Sequence, residues 1–483
     1  MKTVVIIGAG FCGALTAIHL LNAAGPPLRV ILLNRSGLMA RGVAYGTRTE
    51  RHVLNVPAGR MGVLPGDDQG FLRFAQRRLP DAGAHSFLPR QLFGDYIEHL
   101  LVEAARRPPS GSSFRAMVGE ARRIQRGSSG GLQVRLTSGE SLAADAVVLA
   151  LGHFAPRDPP LPLPGRELLS SPRYVRDPWR PDALWGVRRD EPVLMIGTGL
   201  TMLDVMLDLR ERGVQAPLYA LSRRGLMPLA HRDQDQPPQY RSQLAGRLLA
   251  TPRIRHWLRA FRAEVESAAA EGVDWRDVIG ALRVDTPALW QALPEAERAR
   301  FLRHLRPYWE VHRHRCAPEL GAALAQEQAS GGLQRMAGRL LAAEDRLDGI
   351  HATLRLRDGS TRQLTVGAVI NCTGPEADTR SLGEPLLRSL REAGEVRADA
   401  LGLGLEVDGQ YRLLRRDGQP QPALYYIGPF LRARDWEATA VPELRQHAAR
   451  LASVLRQSLS TPAGIQPPDW VNPRAAGGPG PGG

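Results

Sequence analysis

The sequence predicts an α/β fold in which two similar units are each built on a parallel sheet. Two observations predict this fold. A buried strand, a glycine-rich turn and an apolar helix occupy residues 3–17, and the same pattern returns at residues 192–209. After a similar number of residues, each pattern is followed by a second apolar strand. Two βαβ units of matching length in one chain indicate an internal repeat.

The first unit has a glycine motif between a strand and a helix. Residues 4–8 carry no polar side chain, and Gly8, Gly10 and Gly13 give the spacing G-x-G-x-x-G. The first glycine of such a motif allows a sharp turn, and the second allows a pyrophosphate to touch the backbone. The third lets the helix pack closely against the strand. This placement predicts a dinucleotide-binding turn rather than a plain tight turn.

The residues after the next strand, at 29–33, depart from the usual pattern. Dinucleotide-binding folds commonly place an acidic residue there for the ribose hydroxyls, but this chain has Asn34 followed by Arg35. An amide can still accept a bond from a ribose hydroxyl, and Arg35 is compatible with a 2′-phosphate. Segment 39–67 is glycine-rich and aperiodic, and its length favours a loop that covers a ligand over ordinary surface.

The residues between the two motifs are predicted to complete the first unit. Their patterns predict helices at 71–79 and 93–106, and short strands at 114–118 and 132–136. A buried strand at 145–152 then ends in glycine.

The second unit differs from the first at two points. Its glycines are Gly197 and Gly199, and Met202 stands at the third motif position. The strand at 217–221 is followed by three polar residues, Ser222, Arg223 and Arg224. A hydroxyl and two guanidinium groups suit a ribose 2′-phosphate, so this unit is predicted to bind NADPH. The alternative is an exposed arginine pair at a strand end.

Residues 241–343 are predicted to be mainly helical, and the part at 303–315 is dense in histidine and arginine. His304, Tyr308 and His312 fall near one helical face, but no carboxylate completes a ligand set, so no metal site is predicted. A basic face that helps to hold an anionic substrate or cofactor is one interpretation. A solvated helix face is the favoured one.

Five apolar strands are predicted to end in glycine, and these glycines are Gly8, Gly152, Gly197, Gly374 and Gly428. In open parallel sheets, ligands lie beyond the carboxyl ends of the strands. Two glycine motifs imply two nucleotides, which a nicotinamide coenzyme alone does not need. The chemistry that accounts for both is hydride transfer from NADPH to a flavin.

Composition and charge narrow the function further. The formal net charge is +14, almost all from arginine, because Lys2 is the only lysine; a lysine Schiff base is therefore disfavoured. The arginines are spread along the chain, so the predicted partner is a small molecule rather than nucleic acid, with a nucleic-acid-modifying enzyme as a minor alternative. Cys12, Cys316 and Cys372 form no C-x-x-C pair, which disfavours a disulfide reductase. No membrane span or signal peptide is predicted, which indicates a cytoplasmic protein.

Many short motifs resemble, in one order, the bacterial FAD/NAD(P)-binding proteins with two dinucleotide-binding domains. The motifs are IGAGFCG, RGVAYGT, LNVPAGRMG, FLPRQLFGDY, ALGH, IGTGLTMLD, LSRRG, DWRDVIGALR, FLRHLRPYWEVHRHR, NCTG and YYIGPF…WEATAVPELR. The resemblance extends from Met1 to about Arg456. More distantly, the chain is similar to flavin-containing and N-hydroxylating monooxygenases.

The resemblance implies two Rossmann-like domains, with the NADPH domain inserted in the FAD domain and carrying a helical insertion. The expected divisions are residues 1–160 and 344–460 for the FAD domain, 161–240 for the NAD(P)H domain, 241–343 for the helical insertion and 461–483 for a disordered tail. The tail is Pro/Gly-rich and has little to bury.

The resemblance also implies which residues bind the cofactors. FAD would contact Gly8, Gly10, Gly13, Asn34, Arg41, Tyr45, Asn55, Met61, Gly428 and Val441, and NADPH would contact Gly197, Gly199, Thr201, Ser222, Arg223 and Arg224. The remaining cofactor-binding candidates are Arg35, Val118, Gly152 and Gly374. Asn34 and Pro429 stand where many flavoproteins carry acidic residues.

The function implied is a flavin monooxygenase that uses FAD, NADPH and O2 on an amine or another small nucleophilic substrate. Such chemistry needs no side-chain nucleophile, and no catalytic residue is assigned. The alternatives are an NAD(P)H-dependent flavin reductase or oxidase, and a non-catalytic flavin-binding redox sensor. The sequence leaves the substrate and the oligomeric state open.

Overall fold

The computed structural model describes residues 1–47, 49–127, 130–161, 166–233 and 240–460. The predicted tail at 461–483 lies outside them. In chain order the strands are β1 (Lys2–Ile7), β2 (Leu28–Asn34), β3 (Ser113–Val118), β4 (Ala121–Arg126), β5 (Leu132–Leu136), β6 (Ser141–Ala144), β7 (Ala146–Leu149), β8 (Tyr174–Val175), β9 (Val193–Ile196), β10 (Leu218–Ser222), β11 (Leu333–Arg346), β12 (Gly349–Leu356), β13 (Thr361–Val366), β14 (Ala368–Asn371), β15 (Arg412–Leu414) and β16 (Pro420–Tyr426).

The helices are α1 (Phe11–Asn22), α2 (Gly42–Tyr45), α3 (Gly70–Gln76), α4 (Arg90–Arg106), α5 (Leu200–Glu211), α6 (Leu244–Ala250), α7 (Ile254–Ala270), α8 (Trp275–Ala281), α9 (Thr286–Ala292), α10 (Glu295–His304), α11 (Arg306–Arg313), α12 (Pro318–Ala329), α13 (Pro385–Glu392) and α14 (Val441–Ser460). No helix formed by these described residues is both long and apolar enough to cross a membrane.

The first sheet is built around β1. Its strand order is β15-β16-β7-β1-β2-β3, and β1 pairs in parallel with β2 on one side and β7 on the other. Val4, Val5 and Ile6 are completely buried, as expected for a central strand without polar side chains. Helix α1 packs against α4 and α14. The glycine turn after β1 therefore lies at the carboxyl edge of a buried parallel sheet.

The second sheet has the order β13-β12-β11-β10-β9-β14-β8. Strands β9 and β10 flank each other in parallel, and β11 continues from them into an antiparallel ribbon with β12 and β13. All the strands of this sheet lie between β7 and β15 in the chain, so the second unit is inserted into the first.

Two predicted boundaries differ from the observed sheets. Residues 333–343, predicted as part of the helical segment, begin β11, because pairing with β10 outweighs the helix propensity of a stretch rich in alanine, leucine and arginine. Strands β12, β13 and β14, predicted to belong to the FAD domain, join the second sheet, where β14 pairs in parallel with β9. The division of the chain into domains otherwise stays a prediction.

The helical insertion packs on the segment that leads into α14. The Trp290 ring lies 4.7 Å from the Trp436 ring, and Trp290 Nε1 donates a hydrogen bond to the Ala433 carbonyl oxygen at 3.1 Å. Trp436 is 2% exposed. Burial of these large aromatic side chains fixes the insertion against the first unit.

Candidate functional site

The turn after β1 is held tight by its glycines. Gly8 has φ +105°, and a Cβ there would lie 2.4 Å from the Ala150 carbonyl oxygen. A Cβ on Gly13 would lie 1.9 Å from the Gly8 carbonyl oxygen. Only glycine fits at either position, and the helix thus lies against the turn as the motif predicts.

Gly10 leaves its backbone open to the solvent side of the turn. It is the N-cap of α1, and a Cβ there would meet only Gly42, at 3.5 Å. The space beside it is a cleft of about 1240 Å³ beyond the carboxyl edge of the first sheet. Seven of the residues predicted to bind cofactors line this cleft: Gly8, Gly10, Asn34, Arg35, Arg41, Tyr45 and Gly152.

Asn34 and Arg35 lie at the end of β2 on the cleft wall. The Asn34 side-chain NH2 donates to the Leu38 carbonyl oxygen at 2.6 Å and to Ser36 Oγ at 3.0 Å, which leaves the amide oxygen as the group suited to a ribose hydroxyl. Arg35 lies 3.7 Å from Glu120 and 3.6 Å from Glu384. Two nearby carboxylates make this arginine a poor site for a 2′-phosphate.

Arg41 and Tyr45 fasten the covering loop to α4. Arg41 Nη2 donates to Asp95 and Glu98, each at 2.6 Å. The Tyr45 ring lies 4.8 Å from the Phe93 ring in an edge-on arrangement. These contacts hold the loop over the cleft without a ligand.

None of the other thirteen candidates is among the residues that line the large cleft: Gly13 packs against the turn, six belong to the second glycine turn and the strand after it, and six lie elsewhere in the chain. Met61 is 1% exposed and Val441 is 6% exposed, so both side chains belong to the core, and Val118 is an exposed strand end 69% accessible to solvent. Asn55 lines a separate, smaller cavity. Gly374 follows β14 and Gly428 follows β16, and both have a positive φ. A Cβ on Gly428 would lie 2.7 Å from the Tyr426 hydroxyl. The cofactor contacts of these six stay predictions.

The second glycine turn repeats the geometry of the first. Gly197 has φ +117°, and a Cβ there would lie 2.3 Å from the Cys372 carbonyl oxygen. Gly199 is the N-cap of α5 and faces open space, and Thr201 lies in the first turn of that helix. This turn therefore also presents open backbone at a helix N-terminus, where a phosphate is favoured.

The polar residues after β10 have different surroundings. Ser222 Oγ accepts from the Gly225 N–H at 3.0 Å and lies 2.8 Å from Thr198 Oγ1, so its hydroxyl closes the turn. The Arg224 guanidinium lies 5.1 Å from the centre of the Tyr308 ring and donates to the Arg303 carbonyl oxygen. Arg223 is exposed. Of the three, Arg223 is the group best placed to meet a phosphate.

Residues 5–154 match a family model described as FAD-NAD(P)-binding. These residues form an FAD/NAD(P)-binding domain. No curated protein sequence matches the chain.

Solved structures share the fold of the whole described chain. Ornithine hydroxylase from Pseudomonas aeruginosa is 20% identical, with a TM-score of 0.60, and the match covers 95% of this chain and 100% of that one. Ornithine N-hydroxylase from Kutzneria sp. 744, with reduced FAD, NADP⁺ and L-ornithine, is 15% identical, with a TM-score of 0.61 and coverage of 94% and 99%. FAD-bound cadaverine monooxygenase from Erwinia amylovora is 15% identical, with a TM-score of 0.57 and coverage of 95% and 94%. The predicted fold class, two Rossmann-like domains with one inserted in the other, is confirmed.

The cleft of the FAD/NAD(P)-binding domain extends to the second unit. Segment 177–185, with Trp179 and Trp185, lines it together with Asp208 and Glu211 of α5. No motif in the sequence marks this wall as part of a site. Its one signal is two tryptophans in a short stretch between the units.

Buried ion pairs join the FAD/NAD(P)-binding domain to α5. Arg90, at the start of α4, lies 2.9 Å from Asp204, which is 3% exposed. His52, also 3% exposed, has Nε2 at 3.1 Å from Asp208 Oδ1. Since both pairs lie under or beside the cleft, they fix how the two units face each other.

The His52–Asp208 pair predicts a pH-dependent stability. Burial lowers the pKa of His52, but its hydrogen bond to Asp208 and the charges of Asp204 and Asp208 outweigh burial, and the pKa is raised. A raised folded-state pKa stabilises the protein fully below the unfolded value of about 6.5, and this stability is lost as the pH rises through the folded pKa. The unfolding free energy of wild type minus that of His52→Gln, measured in urea, should therefore shrink above about pH 6.5. A difference that stays constant with pH would contradict this assignment.

The three cysteines are free and buried. Burial raises the pKa of Cys12 to about 12 and that of Cys316 to about 11, and it also raises the pKa of Cys372. Neutral, enclosed thiols are poor nucleophiles, so thiol–disulfide chemistry is disfavoured. Among the described residues, no group of three or more His, Cys, Asp or Glu side chains is arranged to hold a metal ion.

Proposed function

We propose that this protein is an FAD- and NADPH-dependent monooxygenase that acts with O2 on an amine or another small nucleophilic substrate. The observation that carries the proposal is the shared cleft. Gly10 and Gly152 of the FAD/NAD(P)-binding domain and Asp208 and Glu211 of the second unit line the same space. Hydride transfer needs two cofactors held against each other, so a coenzyme bound at the second glycine turn, at the other end of α5 from Asp208 and Glu211, would have to extend to this cleft.

The residues at the first turn fit FAD. Gly10 lines the cleft with no side chain, which would leave room for a pyrophosphate, and the amide oxygen of Asn34, also on the cleft wall, would suit a ribose hydroxyl. A bound FAD supplies the hydride acceptor and the group that reacts with oxygen. The turn at Gly197 and Gly199 would hold the pyrophosphate of NADPH, with Arg223 at the 2′-phosphate.

Aromatic side chains pack together at the end of the first sheet and form part of the cleft wall. The Phe154 and Phe430 rings stack 5.8 Å apart, and Phe430 also stacks on Tyr426 at 5.6 Å. Phe154 and Pro429 line the cleft. An apolar wall at this place would limit the wasteful loss of activated oxygen to solvent.

The amine substrate is supported by the proteins that share this fold. Two are ornithine hydroxylases and one is a cadaverine monooxygenase. Both substrates, ornithine and cadaverine, carry a primary amine, the nucleophile that a flavin monooxygenase can oxidise.

Purified protein provides the test of the proposed function. We expect a yellow protein whose flavin is bleached by NADPH, and NADPH consumption that rises when the right amine is added, with little peroxide released. The screen covers amino acids and polyamines, with peroxide measured in parallel. Fast NADPH oxidation that yields only peroxide would replace the proposal with an oxidase, and a flavin that NADPH does not reduce would overturn both.

Arg223 is expected to select NADPH over NADH. A charge-assisted hydrogen bond to the 2′-phosphate contributes about 1.5–3 kcal/mol, so Arg223→Gln should raise the KM for NADPH about 10- to 100-fold and leave the KM for NADH nearly unchanged. Arg188→Gln, which changes an exposed arginine paired with Asp190, is the control. Equal changes for both coenzymes would contradict the assignment.

We also propose that the protein acts in the cytoplasm on small molecules. Three free thiols suit a reducing compartment. The arginines are spread over the chain rather than gathered in a tail, which supports a small-molecule partner over nucleic acid.

A further inference from the structure

A second, smaller cavity lies next to the proposed cofactor cleft. Its volume is about 80 Å³, room for about two or three water molecules at roughly 30 Å³ each. The two spaces adjoin at the segment before α14, where Thr439 lines the large cleft and the adjacent Ala440 lines the small cavity. A group held in the small cavity would therefore lie one residue's width from the cleft.

The wall of this cavity is strongly basic. Among the residues that the structure describes, five arginines, two histidines and a single carboxylate line it: Arg60, Arg276, Arg283, Arg313, Arg315, His231, His314 and Asp277. The carboxylate is already held, since Arg232 donates to both oxygens of Asp277 at 3.0 and 2.6 Å. The lining itself thus carries more positive than negative groups, while carboxylates behind it pair with Arg276, Arg283 and Arg313.

Neighbouring groups hold two of the arginines in place. Arg283 donates to both carboxylate oxygens of Glu443, at 2.5 and 2.8 Å. Arg276 donates to the Ala230 carbonyl oxygen at 3.2 and 3.1 Å, and its guanidinium lies 4.4 Å from the Trp275 ring centre. The basic wall is therefore built before any ligand arrives.

Arg313 lies close to other positively charged groups of the cavity. Its Nε lies 3.3 Å from Glu437, a carboxylate that is 1% exposed. Burial lowers the pKa of Arg313, and repulsion from Arg283 and Arg60 adds to this despite the nearby glutamates. An anion in the cavity would offset that repulsion.

We propose that this cavity binds an anionic group of the substrate, a carboxylate or a phosphate, while the rest of the substrate extends towards the cleft. The inference rests on the proposed function for its substrate. It adds that the substrate carries a negative charge as well as its nucleophilic group. It also adds that residues of four separate segments set the specificity for the substrate. Asn55, which also lines the cavity, adds an amide to the wall.

The test measures anion binding directly, without turnover. Isothermal titration with malonate and with inorganic phosphate, at constant ionic strength, is expected to show binding to the flavin-containing wild type. Arg60→Gln should weaken it about tenfold, as expected for the loss of one charge-assisted contact, and Arg60→Lys should restore part of it. Arg106→Gln, at the exposed end of α4 and paired with Glu103, should bind as wild type does. Melting temperatures and flavin content of the variants show that each is folded.

Two outcomes would overturn the inference, and a third would overturn the proposed function alone. If wild type and Arg60→Gln bind malonate and phosphate with equal affinity, the anion does not bind in this cavity. Loss of malonate binding in saturating NADP⁺ would assign the basic wall to a phosphate of the coenzyme instead of the substrate. Anion binding in a protein that NADPH does not reduce would leave the site standing and overturn only the monooxygenase function.

A substrate series then connects the cavity to turnover. Amines that carry a carboxylate should have a lower KM than the same amines without it, for example ornithine against putrescine, and the preference should disappear in Arg60→Gln. No preference in the wild type would contradict the assignment of the cavity to the substrate.

Discussion

Gly13→Ala is expected to empty the FAD site. The added methyl group would lie 1.9 Å from the Gly8 carbonyl oxygen, a backbone atom that cannot move without opening the turn. Helix α1 must then shift away from β1, which moves the N–H groups at Gly10 that would face the pyrophosphate. We expect the flavin content to fall more than tenfold and the unfolding free energy to drop by about 3 kcal/mol. Visible absorbance and urea unfolding measure the two effects.

Gly246→Ala is the matched control for this change. Gly246 also lies within a helix, α6, but nothing lies within 4 Å of the position of its Cβ. Alanine there should keep the flavin and raise the stability by up to about 1 kcal/mol, because it is the better helix former. Normal flavin content in Gly13→Ala would contradict the close packing at the turn.

Asp204→Asn is expected to cause the largest loss of stability among single charge changes. It leaves Arg90, whose side chain is 16% exposed, without its buried carboxylate, and breaking a buried pair costs about 3–5 kcal/mol. Because this pair joins α5 to α4, we also expect the two units to unfold in separate steps. Urea unfolding followed by both flavin fluorescence and far-UV circular dichroism detects this as two transitions.

Two variants separate the ion pair from general damage. Asp190→Asn removes an acid from an exposed pair with Arg188 and should leave the stability nearly unchanged, because solvent screens this pair. The double variant Arg90→Leu/Asp204→Leu should lose less stability than Asp204→Asn, because it leaves no buried charge without a partner. A double variant less stable than the single one would show that the pair does more than neutralise its own charges.

The fold and the position of the main cleft could be predicted from local sequence patterns. Gly8, Gly10 and Gly13 carry the geometry of the turn within six residues, so strand, turn and helix are all visible in one stretch. Asn34 and Arg35 follow at the expected place because a βαβ unit has a nearly fixed length. The second turn, at Gly197 and Gly199, was predictable for the same reason.

Features that depend on distant pairing could not be predicted in this way. Strand β14 joins the second sheet because it pairs with β9, and no local pattern in either strand indicates this pairing. The basic cavity draws on residues near 60, 231, 276–283 and 313–315. The density of arginine at 303–315 is visible in the sequence. By itself it favours a solvated helix face, because the side chains that complete the cavity lie far away in the chain.

The inserted arrangement of the two units has a consequence for protein synthesis. Val147 of β7 pairs with Leu424 of β16, and every strand of the second sheet is made between them. At ordinary translation speeds, β16 leaves the ribosome roughly 15–55 s after β7, so one edge of β7 stays unpaired for that time. During that interval the nascent first sheet presents an open, fully apolar strand edge, while the second unit has time to close on its own. Strand β16, which is synthesised after the second unit, thus covers the open edge of the first sheet.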